Sequence, residues 1–283
     1  MDFKSKRIAA INDLAGFGRC SLSVMMPVIS ACGNQCCPVP TAILSSTDGI
    51  SGFSMKDLTD DLSVYLRQWK QLKFSFDGIY TGYLSSARQI ETALSFLQDF
   101  SRPDTCILVD PVLGDQGIVG SNCTDQLIKE YHSLIARADF ITPNLTEAFF
   151  LCGLPYQEYP DERTLDLMGE MLLSKGPKAV IITGIKHETS IDTYLFERDQ
   201  KNRIFSPRCP QERIGTGDLF SSIFLSSVLQ GDSFVASAKK ASDFIAKALF
   251  FSEEQNIPVE EGICFEPFLG QLSPYFTQRS EMI

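Results

Sequence analysis

The sequence is poor in histidine and tryptophan, with two histidines and one tryptophan in 283 residues. His132 and His187 lie far apart without Cys or His neighbours, which argues against zinc. The nine cysteines, Cys20, Cys32, Cys36, Cys37, Cys106, Cys123, Cys152, Cys209 and Cys264, contain no C-x-x-C pair and no regular spacing. They are expected to be buried free thiols in a reducing cytoplasm. No apolar run approaches the roughly 18 residues that a membrane helix needs, and Asp2, Lys4, Lys6 and Arg7 leave no hydrophobic leader before the first expected strand. Basic clusters are missing too: 25 Lys and Arg face 35 Asp and Glu, a net charge of −10, which argues against a nucleic-acid surface. The expectation is a cytoplasmic protein with neither membrane nor nucleic-acid partners. A small phosphate is not excluded, because helix N-termini and a metal ion supply positive potential locally.

Both common nucleotide motifs are absent as well. There is no Gly-Lys-Ser/Thr for a P-loop. Gly16-Phe17-Gly18-Arg19-Cys20-Ser21 mimics a dinucleotide fingerprint, but Ala42-Ile43-Leu44-Ser45 offers no acid for a ribose at the second strand end. A dehydrogenase is thereby disfavoured.

What is present is a regular alternation. Residues 7–13, 35–44, 78–81, 106–110, 140–142 and 179–183 read as strands, and segments near 56–71, 86–100, 123–137, 144–152 and 162–175 read as amphipathic helices. A hairpin is expected from 192–196 and 203–206, then core helices over 218–230 and 233–251, the second alanine-rich and packed beside the first. Pro27 predicts a kink or an early break in the pattern of residues 20–32. The Tyr65-Trp69 spacing fits a packed helix face. With 44% hydrophobic residues and no linker, one three-layer α/β domain over residues 1–283 is expected, its mostly parallel sheet covered by helices on both faces.

Ligands of such sheets collect beyond the strand C-termini, and the polar residues gather there: Asn12-Asp13, Thr81-Gly82-Tyr83, Asp110 through Asp115, Thr142 to Glu147, and Thr183-Gly184. Gly215-Thr216-Gly217-Asp218 stands where a core helix begins. The first amides of a helix lack intrahelical partners, and the dipole adds about half a positive charge, so an anion settles there. Gly215 and Gly217 allow bare backbone to close on a phosphate, and Asp218 is placed to take a proton from an attacking hydroxyl. An ordinary capped helix explains the same four residues.

Asp110-Pro111-Val112-Leu113-Gly114-Asp115 carries two hard oxygen ligands of the kind that suit Mg²⁺, or alternatively a turn acid and a solvated one. Thr142-Pro143-Asn144-Leu145-Thr146-Glu147 has the spacing of a capping box, with Asn144 also a candidate for a phosphate or a metal-bound water.

Taken in order, Asn12-Asp13 with Gly16-Phe17-Gly18-Arg19-Cys20-Ser21-Leu22, Thr81-Gly82-Tyr83, Asp110-Pro111-Val112-Leu113-Gly114-Asp115, Ile141-Thr142-Pro143-Asn144 with Glu147, and Gly215-Thr216-Gly217-Asp218 resemble the pyridoxal kinase (pyridoxamine kinase) family of the ribokinase-like superfamily. The resemblance implies a ribokinase-like fold, usually a homodimer. It also implies ATP-dependent phosphorylation of the 5′-hydroxymethyl group of pyridoxal, pyridoxamine or pyridoxine. Asp218 would be the base, with Gly215, Thr216 and Gly217 neutralising charge on the moving phosphoryl group. Asp110, Asp115 and Glu147 would arrange Mg²⁺, with Asp110, Glu147, Asn144 and Thr183 at the ATP. Asp13 and Tyr83 would line the vitamin pocket. A monovalent cation is a further requirement left open. One departure stands out: the family commonly has Thr-His-Thr-Gly where this chain has Ser46-Thr47-Asp48-Gly49, which puts the Asp48 carboxylate at the pyridine ring. A hydroxymethylpyrimidine kinase and a non-catalytic pyridoxal-binding protein are the alternatives.

Overall fold

Alternation along the strands of the computed structural model, which describes residues 5–47, 49–120 and 123–274, divides the core into two apolar layers. Ile8 and Ala10 pack on one side of the sheet, Ala9 and Ile11 on the other; Leu108 is likewise parted from Ile107 and Val109, and Ile181 from Val180 and Ile182. A strand buried on both faces reads as a continuous apolar run, which is why these segments show no polar alternation.

The strands are β1 (Arg7–Ala15), β2 (Gln35–Leu44), β3 (Met55–Asp57), β4 (Gly78–Thr81), β5 (Cys106–Val109), β6 (Gly114–Asp115), β7 (Ile118–Val119), β8 (Phe140–Ile141), β9 (Ala179–Lys186), β10 (Ser190–Glu197) and β11 (Gln200–Pro207). Nine form one sheet in the order β11-β10-β9-β8-β5-β4-β1-β2-β3, and β6 and β7 pair separately. The six strands from β9 to β2 run parallel, while β3, β10 and β11 are antiparallel additions at the two edges.

The helices are α1 (Leu22–Ala31), α2 (Thr59–Gln71), α3 (Ala87–Phe100), α4 (Asp125–Ile135), α5 (Leu145–Cys152), α6 (Glu162–Leu173), α7 (Thr216–Leu229) and α8 (Phe234–Glu254). Those from α2 to α6 cover one face, where Trp69 of α2 packs on Tyr65, Phe76, Phe96 and Phe100. The other face is covered by α1, α7 and α8, with α7 and α8 side by side. This is the expected three-layer α/β architecture.

Three details differ from the sequence reading. The helix expected near 56–71 begins with β3, whose exposed residues add to the edge of β2 before Thr59 starts α2. Pro27 does not end α1, which continues to Ala31; buried Leu22, Val24, Met25, Val28 and Ile29 on the packed side hold it through the one missing amide. All nine cysteines are free, but only Cys32, Cys152, Cys209 and Cys264 are buried, since the others sit near strand ends and loops. No helix among the described residues is long and apolar enough to cross a membrane.

The parallel order places a switch point between β1 and β4: the chain leaves β1 toward β2 on one side, then returns to β4 on the other. A crevice outside the carboxyl ends opens at such a point.

Candidate active site

The start of α7 faces that crevice. Its N-cap is Gly215, at φ 90° and ψ −2°, with no side-chain cap. A Cβ at Gly215 would stand 2.2 Å from the Arg19 carbonyl oxygen, so the position requires glycine for both its backbone angle and its space. The first intrahelical bond of the turn runs from Leu219 N–H to Gly215 O at 3.0 Å. The amides of Thr216, Gly217 and Asp218 therefore precede any helical acceptor. Thr216 turns its hydroxyl back to the Arg213 carbonyl at 3.5 Å, and Gly217 is exposed.

Asp218 sits half-buried on the inner side of this turn. Its Oδ2 accepts from Ser21 N–H at 2.7 Å and its Oδ1 from Asn12 Nδ2 at 3.1 Å. Burial, and then the nearby Asp110 and Asp13 carboxylates, push its pKa up to about 7, against the two hydrogen bonds that favour the anion. A carboxylate so poised can gain and lose a proton near neutrality.

Asn12 joins the two sides of the switch point. Its Oδ1 accepts from the backbone N–H of Asp13 and of Tyr83, at 3.0 and 2.8 Å, while Nδ2 reaches Asp218. Gly82 makes room for this: a Cβ there would lie 2.4 Å from Asn12 Nδ2. Asp13, buried at an irregularity of the β1–β2 register, thus stands near Asp218, and the backbone of half-buried Tyr83 is linked to Asp218 through Asn12. Asp48 lies outside the described residues.

Asp110 directly follows β5 and is buried, its Oδ2 accepting from Tyr80 Oη at 3.1 Å and Ser221 Oγ at 3.3 Å. Burial pushes its pKa up to about 6 despite these bonds. A Cβ on Gly217 would be 3.8 Å from the same Oδ2, so this acid lies against the open helix turn. Glu147 is also buried, with its pKa well above the usual carboxylate value through burial, then Asp110, with Asp115 adding. Both of its oxygens are engaged: Oε1 by Leu113 N–H at 3.1 Å and Oε2 by Asn144 N–H at 2.8 Å.

Asn144 completes the capping box of α5 by accepting from Glu147 N–H at 2.9 Å, and its Nδ2 donates to Gly114 O at 2.8 Å. Thr183 lies alongside through a parallel bridge, its N–H on Pro143 O at 3.0 Å. Asp115, on β6, is exposed at the mouth and lines a small cleft with Asn144, Gly184 and Lys186. Burial, and then Glu212, raise its pKa against the Gln116 amide and the Lys186 ammonium.

Asp13, Asp218, Asp110, Glu147 and Asp115 thus form a chain of carboxylates, in which Asp110 and Asp13 raise Asp218's hold on its proton and Asp110 and Asp115 raise that of Glu147. Among the described residues no group of three or more His, Cys, Asp or Glu side chains converges as a metal cage. Oxygen-only donors under mutual repulsion fit a hard cation such as Mg²⁺, which keeps most of its ligands as water and phosphate oxygens. Asp110 lies near enough to Glu147 to raise its pKa, whereas Asp115 is nearer the surface.

Sequence reasoning missed Asn12 as the link and Ser21 as a donor to Asp218. An amide inside an otherwise apolar strand was the available signal for the first. Nothing marked the second, because Ser21 acts through its backbone at φ 55°. In the Gly16–Gly18 loop the amides of Gly16 and Phe17 are taken up by Leu44 O and Ser45 O.

Known proteins match most of this chain. A protein from Bacteroides thetaiotaomicron, solved as a candidate phosphomethylpyrimidine kinase, is 40% identical, superposes with a TM-score of 0.92 and covers 96% of this chain and 95% of its own. A second crystal form of it contains pyridoxal, with a TM-score of 0.91. Pyridoxal kinase from Lactobacillus plantarum shares the fold at a TM-score of 0.89 and 24% identity, covering 98% of this chain and 99% of its own. Pyridoxal kinase PdxY of Pasteurella multocida is 29% identical over 192 residues, 64% of this chain and 65% of that relative's length. The phosphomethylpyrimidine kinase family model matches residues 27–263. With most of its length matched, and the open turn of α7 and the carboxylate chain inside or beside that span, this chain belongs to the phosphomethylpyrimidine kinase family.

Proposed function

We propose that this protein transfers the terminal phosphoryl group of ATP to the 5′-hydroxymethyl group of a vitamin B6 compound: pyridoxal, pyridoxamine or pyridoxine. The observation that carries the reading is Asp218 at the uncapped start of α7, held by Ser21 and Asn12 with its pKa near 7. The vitamin as substrate rests on the 40% identical Bacteroides protein that was solved with pyridoxal.

In the proposed reaction Asp218 accepts the hydroxyl proton as the alcohol oxygen bonds to the γ-phosphorus. The bond from that phosphorus to the β,γ-bridging oxygen breaks, and ADP leaves with the electron pair. Amides of Thr216 and Gly217, with Gly215 shaping the turn, stabilise charge on the moving group, where positioning and electrostatics supply most of the rate. Asp110 and Glu147, with Asp115 at the mouth, would hold Mg²⁺, which supplies charge neutralisation at the phosphates when bound. Asn144 and Thr183 flank the phosphates, and Asp13 and Tyr83 hold the alcohol.

A second reading, phosphorylation of hydroxymethylpyrimidine, is favoured by the family's own description. An assay of ATP consumption against the three vitamers and hydroxymethylpyrimidine tests both. Turnover with a vitamer supports the first, turnover with the pyrimidine alone the second, and binding without turnover a carrier. The homodimer implied by the resemblance draws support from exposed Ile43, Phe53 and Met55 along the β2–β3 edge. Light scattering in solution gives its mass.

A further inference from the structure

The phosphate end of the cleft is crowded with acids, yet it must receive a polyanion. Lys186, the last residue of β9, is the cation among the residues that line the cleft beside Asp115, Asn144 and Gly184. Its side chain is 17% exposed, and its Nζ lies 2.6 Å from Glu212 Oε1. Burial pulls its pKa down, but Glu212, with Asp115 adding, outweighs this and keeps the ammonium charged. Glu212 stands three residues before Gly215, and its other oxygen accepts from Gln116 Nε2 at 2.7 Å, between β6 and β7. One carboxylate thus ties β9, the β6–β7 turn and the approach to α7 across the mouth of the cleft.

We infer that Lys186 is a phosphate-binding residue for the nucleotide, and that Glu212 competes with the polyphosphate for its ammonium. The inference rests on the nucleotide reading of this cleft and adds the residue that recognises its charge. A lysine binds phosphate as a mobile point charge, and its long stem lets it turn from Glu212 to an oxygen at the same rim. The carboxylates already present would otherwise repel the ligand, so a cation that can change partner offers the needed complement.

Lys186→Met, Lys186→Arg and Glu212→Gln, each measured for binding of ATP, ADP and adenosine by calorimetry, test this. Loss of one charge-assisted contact is expected to weaken ATP and ADP in Lys186→Met by roughly 10- to 100-fold, with adenosine affinity and the vitamer KM unchanged. Lys186→Arg keeps part of the affinity. Glu212→Gln removes the competitor and tightens ATP. A merely structural bridge predicts instead that Lys186→Met and Glu212→Gln weaken binding alike, because both break the same ion pair. That result, or an ATP affinity in Lys186→Met within about twofold of wild type, overturns the inference while leaving the kinase reading intact. A wild-type protein that binds neither ATP nor ADP overturns the nucleotide reading itself.

Discussion

The helices α5 and α7 both begin at the same crevice and are finished in opposite ways. At α5, Asn144 and Glu147 satisfy each other's amides, and Glu147 also holds Leu113. At α7 the N-cap is a glycine without a side chain, and the acid of its first turn points to Ser21 and Asn12 rather than to its own amides. A closed start stabilises the chain, while an open one leaves donors for a ligand. The difference lies in where the carboxylate is anchored: Glu147 turns back on its own helix, and Asp218 is pulled away by two other segments.

Substitutions can break this contrast or sharpen it. The largest effect is expected at Asp218→Asn, with kcat down by roughly 10²- to 10⁴-fold and ATP affinity retained; steady-state kinetics with direct nucleotide binding checks both. Unchanged turnover would remove Asp218 from the chemistry. Next comes Gly215→Ala, which meets both φ 90° and the Arg19 carbonyl, and should lose about 2 kcal/mol or more in urea unfolding. Gly153→Ala, at the other end of α5 with φ +66° and open space, should lose only about 1 kcal/mol. Equal losses would mean that the Arg19 contact relaxes freely. Asn144→Ala should cost about 1 kcal/mol, as for a lost N-cap, measured by the same unfolding.

The smallest effect is in pH. Asp218 holds its proton more tightly folded than unfolded, so stability falls as pH rises from the ordinary carboxylate range through about 7. Asn carries no such ionisation, so the Tm of Asp218→Asn relative to wild type should rise from pH 5 to pH 8. A difference that stays flat with pH would show that Asp218 is not a strained acid. In activity the sign is the reverse: kcat/KM should climb through about pH 7 as the base ionises.

Much of this was legible in the chain. Runs such as Ala179-Val180-Ile181-Ile182 announce a strand buried on both faces, and Asn144 with Glu147 announces a capping box that is present atom for atom. Short β3 was not legible, because three exposed residues carry no apolar period. Of the kink or early break that Pro27 predicts, the break does not occur: local propensity calls for it, and burial of the neighbouring residues overrides it. Within the site, residue types at the strand ends could be read, but not their bonds. The role of Glu147 shows this, since its spacing to Asn144 is local while its hold on Leu113 crosses 34 residues.

Local order thus determined the alternation of strands and helices, the glycine turn ahead of α7 and the acids at the strand ends, since these depend on neighbours within a few residues. Only the tertiary structure decided that Asn12 and the backbone of Ser21 grip Asp218 from about 200 positions away, separations of 206 and 197 residues. It alone decided that Asp110 and Asp13 stand near enough to raise that acid's pKa. Electrostatics and hydrogen bonds act through space over a few ångströms, and the order of strands in the sheet sets which residues come that close.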